Sequence, residues 1–256
     1  MHDEQLFPDD GAAVVIGGSG GIGRAVCQAL AKAGCDVAFT YRSNAAAAAE
    51  VQREVEAAGR KAHAAAVDLV DGEGVSAFLN GAAERFGRIH TLVLATGADI
   101  SMTYVADIDP REWQRTIDGD LTGCFNVLRA AIPLLRPRGG AIVAMTSAGL
   151  LRHPPKDILS VVPKAGVEAM IRGIAREEGR HGIRANSIAL GVIDTGLFTR
   201  LGERLTPEFI EAMKRNTALR RFGTAEEAAD AALFLASAKS AFVTGHSLAL
   251  DGGFSV

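Results

Sequence analysis

Ala12-Ala13-Val14-Val15-Ile16-Gly17-Gly18-Ser19-Gly20-Gly21-Ile22-Gly23 is the stretch that decides the fold. Five apolar residues without polar alternation predict a strand buried on both faces. The glycine turn after them runs directly into a helical pattern over residues 22–33. Strand, glycine turn and helix start, in that order, let a backbone approach a pyrophosphate. The free N–H groups and dipole of the helix favour its negative charge. Gly18, Gly20 and Gly23 satisfy the dinucleotide-binding spacing literally, and Gly17, Gly21 and Gly23 satisfy a second one. Gly17, Ser19, Gly20, Gly21, Ile22 and Gly23 are therefore candidate cofactor contacts. A glycine-rich surface turn without a ligand is the competing reading, and the position behind the first buried strand disfavours it.

Outward from this turn, apolar runs at 36–40, 62–67, 91–95, 141–146, 184–189 and 247–250 read as further strands. Helical patterns cover 22–33, 44–58, 74–86, 110–135, 159–181 and 225–236. Gly34, Gly59, Gly87 and Gly182 stand where C-terminal caps belong. The alanine run 45–49 reads as helix, since Ser43 or Asn44 can cap it. Such alternation predicts an α/β fold: a doubly wound parallel sheet of Rossmann type, with helices on both faces. Nothing divides the 256 residues, which read as one domain behind a polar leader at 1–11.

Composition narrows the function. Hydrophobic residues make up 48% of the chain, enough for a large core, yet no run approaches the ~18 apolar residues of a membrane span. The leader lacks the basic and apolar regions of a secretory signal. With 27 basic against 30 acidic residues in no long blocks, there is no footprint for nucleic acid or an anionic membrane. Cys27, Cys35 and Cys124 form no Cys-x-x-Cys pair and read as free thiols of a cytoplasmic protein. No His, Cys or Asp cluster has metal-ligand spacing, and no Gly-x-Ser-x-Gly elbow is present.

The second strand ends Phe39-Thr40-Tyr41-Arg42-Ser43. An NAD site usually places an acid there for the adenosine ribose, whereas an NADP site offers a cation to the 2′-phosphate. Arg42 and Ser43 favour NADP(H) over an ordinary exposed loop arginine.

With the glycine turn, Trp113, Asp120-Leu121-Thr122-Gly123, Ser147, Lys164, Arg184-Ala185-Asn186-Ser187, Gly191 to Thr195 and Asp251-Gly252-Gly253 follow in order. Together they resemble the short-chain dehydrogenase/reductase family over most of the chain, closest in flavour to bacterial β-ketoacyl reductases. The resemblance implies a small-molecule substrate, carbonyl or alcohol, and cofactor contacts at Asp68, Leu69, Ala95, Gly97, Lys164, Val192 and Thr195. It also implies a homo-oligomer, a tetramer built through the helices at 110–135 and 159–181 and the last strand. A substrate lid is implied at 196–216, where Leu197, Phe198, Leu201, Phe209, Ile210 and Met213 would form an apolar face suited to an apolar substrate or to packing.

The same resemblance exposes departures. Family members carry a proton-transferring tyrosine four residues before the lysine; in this chain that position is Ser160. Thirteen residues earlier stands Ser147, the expected substrate-oxygen partner, so the register holds. Asp120 replaces the usual asparagine and is expected to pair with Lys164. Leu94-Ala95-Thr96-Gly97 replaces Asn-Asn-Ala-Gly, and Leu190-Gly191 replaces Pro-Gly. Ile16 replaces a threonine, a change expected to loosen the turn. Ser147, Lys164, Ser160 and Asp120 are the candidate catalytic residues.

A phenol titrates near ~10 and a nearby ammonium brings it toward neutrality, which an aliphatic hydroxyl cannot match. An ordered water, His153 or Asp157 on the loop before Ser160, or Tyr104 could supply the proton instead. His153 and Asp157 read first as a solvated loop beside Pro154-Pro155, Tyr104 as an aromatic packed near Trp113, and His63, His90 and His181 as structural. Two functions stand: an NADP(H)-dependent oxidoreductase on a carbonyl/alcohol pair, ranked first, and a non-catalytic NADP(H)-binding sensor or partner subunit. Non-redox chemistry such as elimination ranks third.

Overall fold

All five residues of β1 (Ala12–Ile16) are buried, so the strand has no solvent face. It pairs in parallel with β2 (Asp36–Tyr41) on one side and β4 (Ile89–Leu94) on the other. With β3 (Ala62–Ala66), β5 (Gly140–Ser147), β6 (Ile183–Leu190) and β7 (Ser247–Leu250), they form a seven-stranded parallel sheet. Its order is β3-β2-β1-β4-β5-β6-β7. The order reverses between β1 and β4, and that switch opens a crevice at the carboxyl ends of the strands. The computed structural model describes residues 5–97, 99–195, 198 and 206–256.

Strand side chains alternate between faces, and each face has its own core. Ala13, Val15, Val37, Phe39 and Val93 pack with α1 (Gly21–Lys32), α2 (Ala45–Ala57) and α8 (Ala225–Ala236). Val14, Ile16, Ala38, Leu92 and Ile142 pack with α3 (Gly72–Phe86), α5 (Gly123–Leu135) and α6 (Ile158–Glu178). The doubly wound architecture follows directly from this division. Gly34, Gly59, Gly87 and Gly182 all follow helices at positive φ, as the sequence predicts. The alanine run is helix, with Asn44 Oδ1 accepting the Ala47 N–H at 3.0 Å.

The pattern over 110–135 reads as one helix, but the structure divides it. α4 (Pro110–Thr116) passes through a π-helical turn, Ile117–Thr122, before α5 begins. Apolar periodicity hides such a bulge, because the helix resumes on the same core face one residue later. The bulge turns Asp120 inward, where it is buried. Part of the expected lid, residues 196, 197 and 199–205 with Leu197 and Leu201, lies outside the described residues. The rest includes α7 (Pro207–Arg215), capped by Thr206. Phe209 is exposed on α7, and Phe198 packs edge-on against Phe222, with ring centres 4.7 Å apart. No described helix is long and apolar enough to cross a membrane.

Arg184 on β6 shows how the sheet grips α8. Its guanidinium donates to the carbonyls of Leu235 (2.8 Å), Ser237 (3.0 Å), Ala236 (3.2 Å) and Val243 (3.2 Å). These are carbonyls at and beyond the helix end, where the helix itself supplies no donors. Arg184→Ala is expected to cost about 3 kcal/mol in urea unfolding, since buried acceptors lose charge-assisted donors. A loss below ~1 kcal/mol would mean that water replaces the guanidinium freely.

Candidate active site

At the end of β1 the chain turns on Gly17, at φ +81°. Thr40 of β2 pins this turn: its hydroxyl accepts the Gly17 N–H at 3.0 Å and its carbonyl the Gly18 N–H at 2.9 Å. The loosening expected from Ile16 is therefore not seen. Ile16 is buried in the core, and the neighbouring strand supplies the acceptor. A methyl group on Gly23 would overlap the Gly17 carbonyl, and one on Gly21 the Thr195 hydroxyl. Gly20 caps α1 without a side-chain hydrogen bond, and the first turn carries no acid. The cradle thus offers helix N–H groups to an anion, with Thr195 closing over it. That arrangement fits the pyrophosphate of a dinucleotide.

Around this cradle lie the other candidate cofactor residues. Arg42 and Ser43 are exposed just past β2, and Arg42 has no ion pair among the described residues. Asp68 is exposed beyond β3, its Oδ1 accepting the Val70 N–H at 3.1 Å, and Leu69 packs against Gly123. Ala95 extends β4, its N–H donating to the Ile16 carbonyl at 3.0 Å, with Gly97 two residues on. Val192 leaves β6 with its carbonyl bound by the Gly223 N–H at 3.0 Å. Thus Ala95 stands beside Gly17 and Thr195 against Gly21, while Val192 lies past β6 and Arg42 and Asp68 lie exposed past β2 and β3.

The candidate catalytic residues stand beyond the carboxyl ends of β4 and β5. Lys164 is buried on α6, and its Nζ donates to the Thr96 carbonyl at 2.7 Å. Asp120 Oδ2 lies 3.8 Å from the same Nζ, so the expected pair forms across the π-helical turn. Ser147 ends β5, its Oγ accepting the Gly149 N–H at 3.0 Å. Ser160, half-buried, lies one turn before Lys164 on α6, which packs against β5 and β6. Sequence reasoning missed the Thr96 carbonyl, since a backbone acceptor leaves no residue-type signal.

Two expectations are corrected. Tyr104 does not pack into the protein near Trp113; it is 59% exposed, and the Lys156 ammonium lies 4.9 Å from its ring centre. Asp157 is not freely solvated: it is half-buried, and burial pushes its carboxyl up to about 6. His153 is exposed, as a loop histidine should be. His90 is buried in β4 with its pKa pushed down to about 4 by burial, and His63 stacks on Phe78, both structural roles. Cys27, Cys35 and Cys124 are free and buried, and burial raises all three thiols.

Known proteins share this fold along nearly the whole chain. A family model described as enoyl-(acyl carrier protein) reductase matches residues 17–255. The 3-oxoacyl-[acyl-carrier-protein] reductase FabG of Chlamydia muridarum is 34% identical over 243 residues, 94% of this chain and 96% of that protein. A short-chain dehydrogenase/reductase from Serratia marcescens superposes with a TM-score of 0.88 at 29% identity, covering 98% of this chain and all of that one. Carveol dehydrogenase from Mycobacterium avium, solved in complex with NAD, gives 0.88 at 27% identity, over 97% of this chain and 99% of that one. Cradle, buried lysine and matched length agree: the chain belongs to the short-chain dehydrogenase/reductase family of oxidoreductases.

Proposed function

We propose that the protein is an NADP(H)-dependent oxidoreductase interconverting a carbonyl and an alcohol, with an active site that works without the family's tyrosine. One observation carries this reading: Lys164 is buried beside the crevice and fixed by Thr96 and Asp120. In this reading an ammonium held there, one helical turn past Ser160, orients the nicotinamide ribose. The coenzyme supplies or accepts a hydride when bound. Ser147 donates its hydroxyl proton to a hydrogen bond with the substrate oxygen, polarising the carbonyl. Asp120 opposes the charge of Lys164 and fixes its direction. Ser160 leaves room between the helix and the substrate where a phenol would otherwise stand.

The choice of NADP(H) rests on Arg42 and Ser43 at the end of β2, where no acid stands. Charge-assisted hydrogen bonds to a 2′-phosphate contribute about 1.5–3 kcal/mol. Arg42→Ala is therefore expected to weaken NADPH binding ~10- to 100-fold and leave NADH binding unchanged, read by fluorescence titration. Equal losses for both coenzymes would remove the phosphate role. The activity test is NADPH oxidation across β-ketoacyl thioesters, ketones and aldehydes. Background rates throughout would refute the oxidoreductase reading. We further propose a homotetramer, supported by the half-exposed Phe125 on α5 and the fully exposed Phe242 before β7; light scattering at the monomer mass would refute it.

A further inference from the structure

Asn44, Asp71, Asp109, Thr206 and Thr224 each accept a backbone N–H at the start of the helix they precede. Asp157, in the same place before α6, does not. Its φ of −109° and ψ of 18° depart from the extended conformation usual for a capping residue. Lys156 before it is held at φ +68°, in the left-handed region, at a cost of about 1–2 kcal/mol. The ammonium of Lys156 lies over the Tyr104 ring, 4.9 Å from its centre. The carboxylate of Asp157 is thus half-buried and accepts no hydrogen bond among the described residues.

The backbone of Asp157 nevertheless belongs to α6, since its carbonyl accepts the N–H groups of Ser160 at 3.1 Å and Val161 at 2.9 Å. Seven residues make almost two turns, so Asp157 and Lys164 share a helix face with Ser160 between them. A helical side chain leans toward the N-terminus and covers the turn before its own Cα. The space beyond the short Ser160 hydroxyl therefore lies over the turn that Asp157 begins. Ser147 meets the same corner: Gly149 is wedged between the Ser147 hydroxyl, Val161 and Pro154.

We propose that the Asp157 carboxyl is the proton donor and acceptor of this active site, occupying the role left open at Ser160, directly or through one water. The inference rests on the oxidoreductase reading above. In reduction, the Asp157 carboxyl gives its proton to the substrate oxygen while the carbonyl carbon takes up a hydride from NADPH. The C=O π bond breaks, C–H and O–H bonds form, the substrate is reduced and the coenzyme is oxidised. The carboxylate that remains is reprotonated from solvent. In oxidation the same carboxylate accepts the alcohol proton.

Burial holds the carboxyl at about 6, close enough to neutrality to serve in both directions. The neighbouring charges act elsewhere. Lys164 is tied to Thr96 and Asp120, Lys156 lies over Tyr104, Arg152 donates to the Phe254 carbonyl and Asn216, and His153 is exposed. Reduction needs the protonated form, so its kcat/KM falls as pH rises through about 6; oxidation rises through the same window.

Asp157→Asn keeps the shape and removes the proton. Turnover in reduction is expected to fall ~10²- to 10⁴-fold, the limb near pH 6 to vanish, and the Kd for NADPH to stay within about twofold. Independently of turnover, carbon-13 NMR of the full-length protein is expected to show one aspartate carboxyl titrating near 6 that is missing in the variant. A variant with wild-type rate and pH profile overturns the inference and leaves the oxidoreductase reading standing. An Asp157 resonance titrating in the ordinary carboxylate range overturns it even if no substrate is found. Failure of the wild-type protein to bind NADPH or reduce any carbonyl strikes the functional reading instead.

Discussion

Lys164→Met is expected to lower the stability of the protein by about 3–5 kcal/mol, the loss typical of breaking a buried ion pair by truncating one partner. The lysine is 8% exposed and the aspartate 6%, so neither charge is screened by water as a surface pair would be. The variant takes the ammonium from beside the Asp120 carboxylate and from the Thr96 carbonyl, which it meets at 2.7 Å. Methionine fills the stem volume but offers no donor. Adding Asp120→Asn to Lys164→Met is expected to recover more than half the loss, because the amide places no net charge in the same pocket. Urea unfolding of the two single variants and the double variant measures this directly. A loss under ~1 kcal/mol for Lys164→Met would show a pair behaving as if exposed. In the proposed mechanism the same variant also loses the group that orients the nicotinamide ribose, so turnover falls even where the protein remains folded.

The coupling of Lys164 to Asp120 was legible in the sequence, but its geometry was not. The family resemblance, not the residues taken by themselves, points to Ser147, Ser160, Lys164 and Asp120 alike. What brings Asp120 inward is the π-helical turn at Ile117–Thr122, and hydrophobic periodicity runs through that turn unbroken. The strands and their two-faced burial were readable because parallel strands admit little besides apolar side chains. The loop before α6 was not. Its prolines and charges look solvated, and only tertiary packing half-buries Asp157 and draws Lys156 across to Tyr104. Composition likewise gave no hint that Arg184 would gather four carbonyls. A charged residue in a strand reads as an edge or an error until its acceptors are seen.

Gly23→Ala is expected to open the cradle and weaken coenzyme binding more than ~10-fold, since each ~1.4 kcal/mol of lost contact is tenfold in affinity. The added methyl group would overlap the Gly17 carbonyl and stand 2.9 Å from the Gly18 Cα, both of them backbone. Neither can swing aside, because Thr40 holds the N–H groups of Gly17 and Gly18. The turn must widen, moving the N–H groups at the start of α1 away from any pyrophosphate. Overpacking of this kind adds a stability loss of about 1–3 kcal/mol. Gly81→Ala on α3 is the matched control. Nothing lies within 4 Å of the new methyl group there, and alanine should stabilise the helix by about 0.5–1 kcal/mol. Thermal melting and NADPH titration of both variants separate a general intolerance of side chains from a local demand for close approach. If Gly23→Ala binds NADPH within tenfold of wild type and melts alongside it, the turn is not the rigid cradle its packing implies. A cradle that yields so readily would leave the buried ammonium of Lys164 as the principal anchor for the coenzyme.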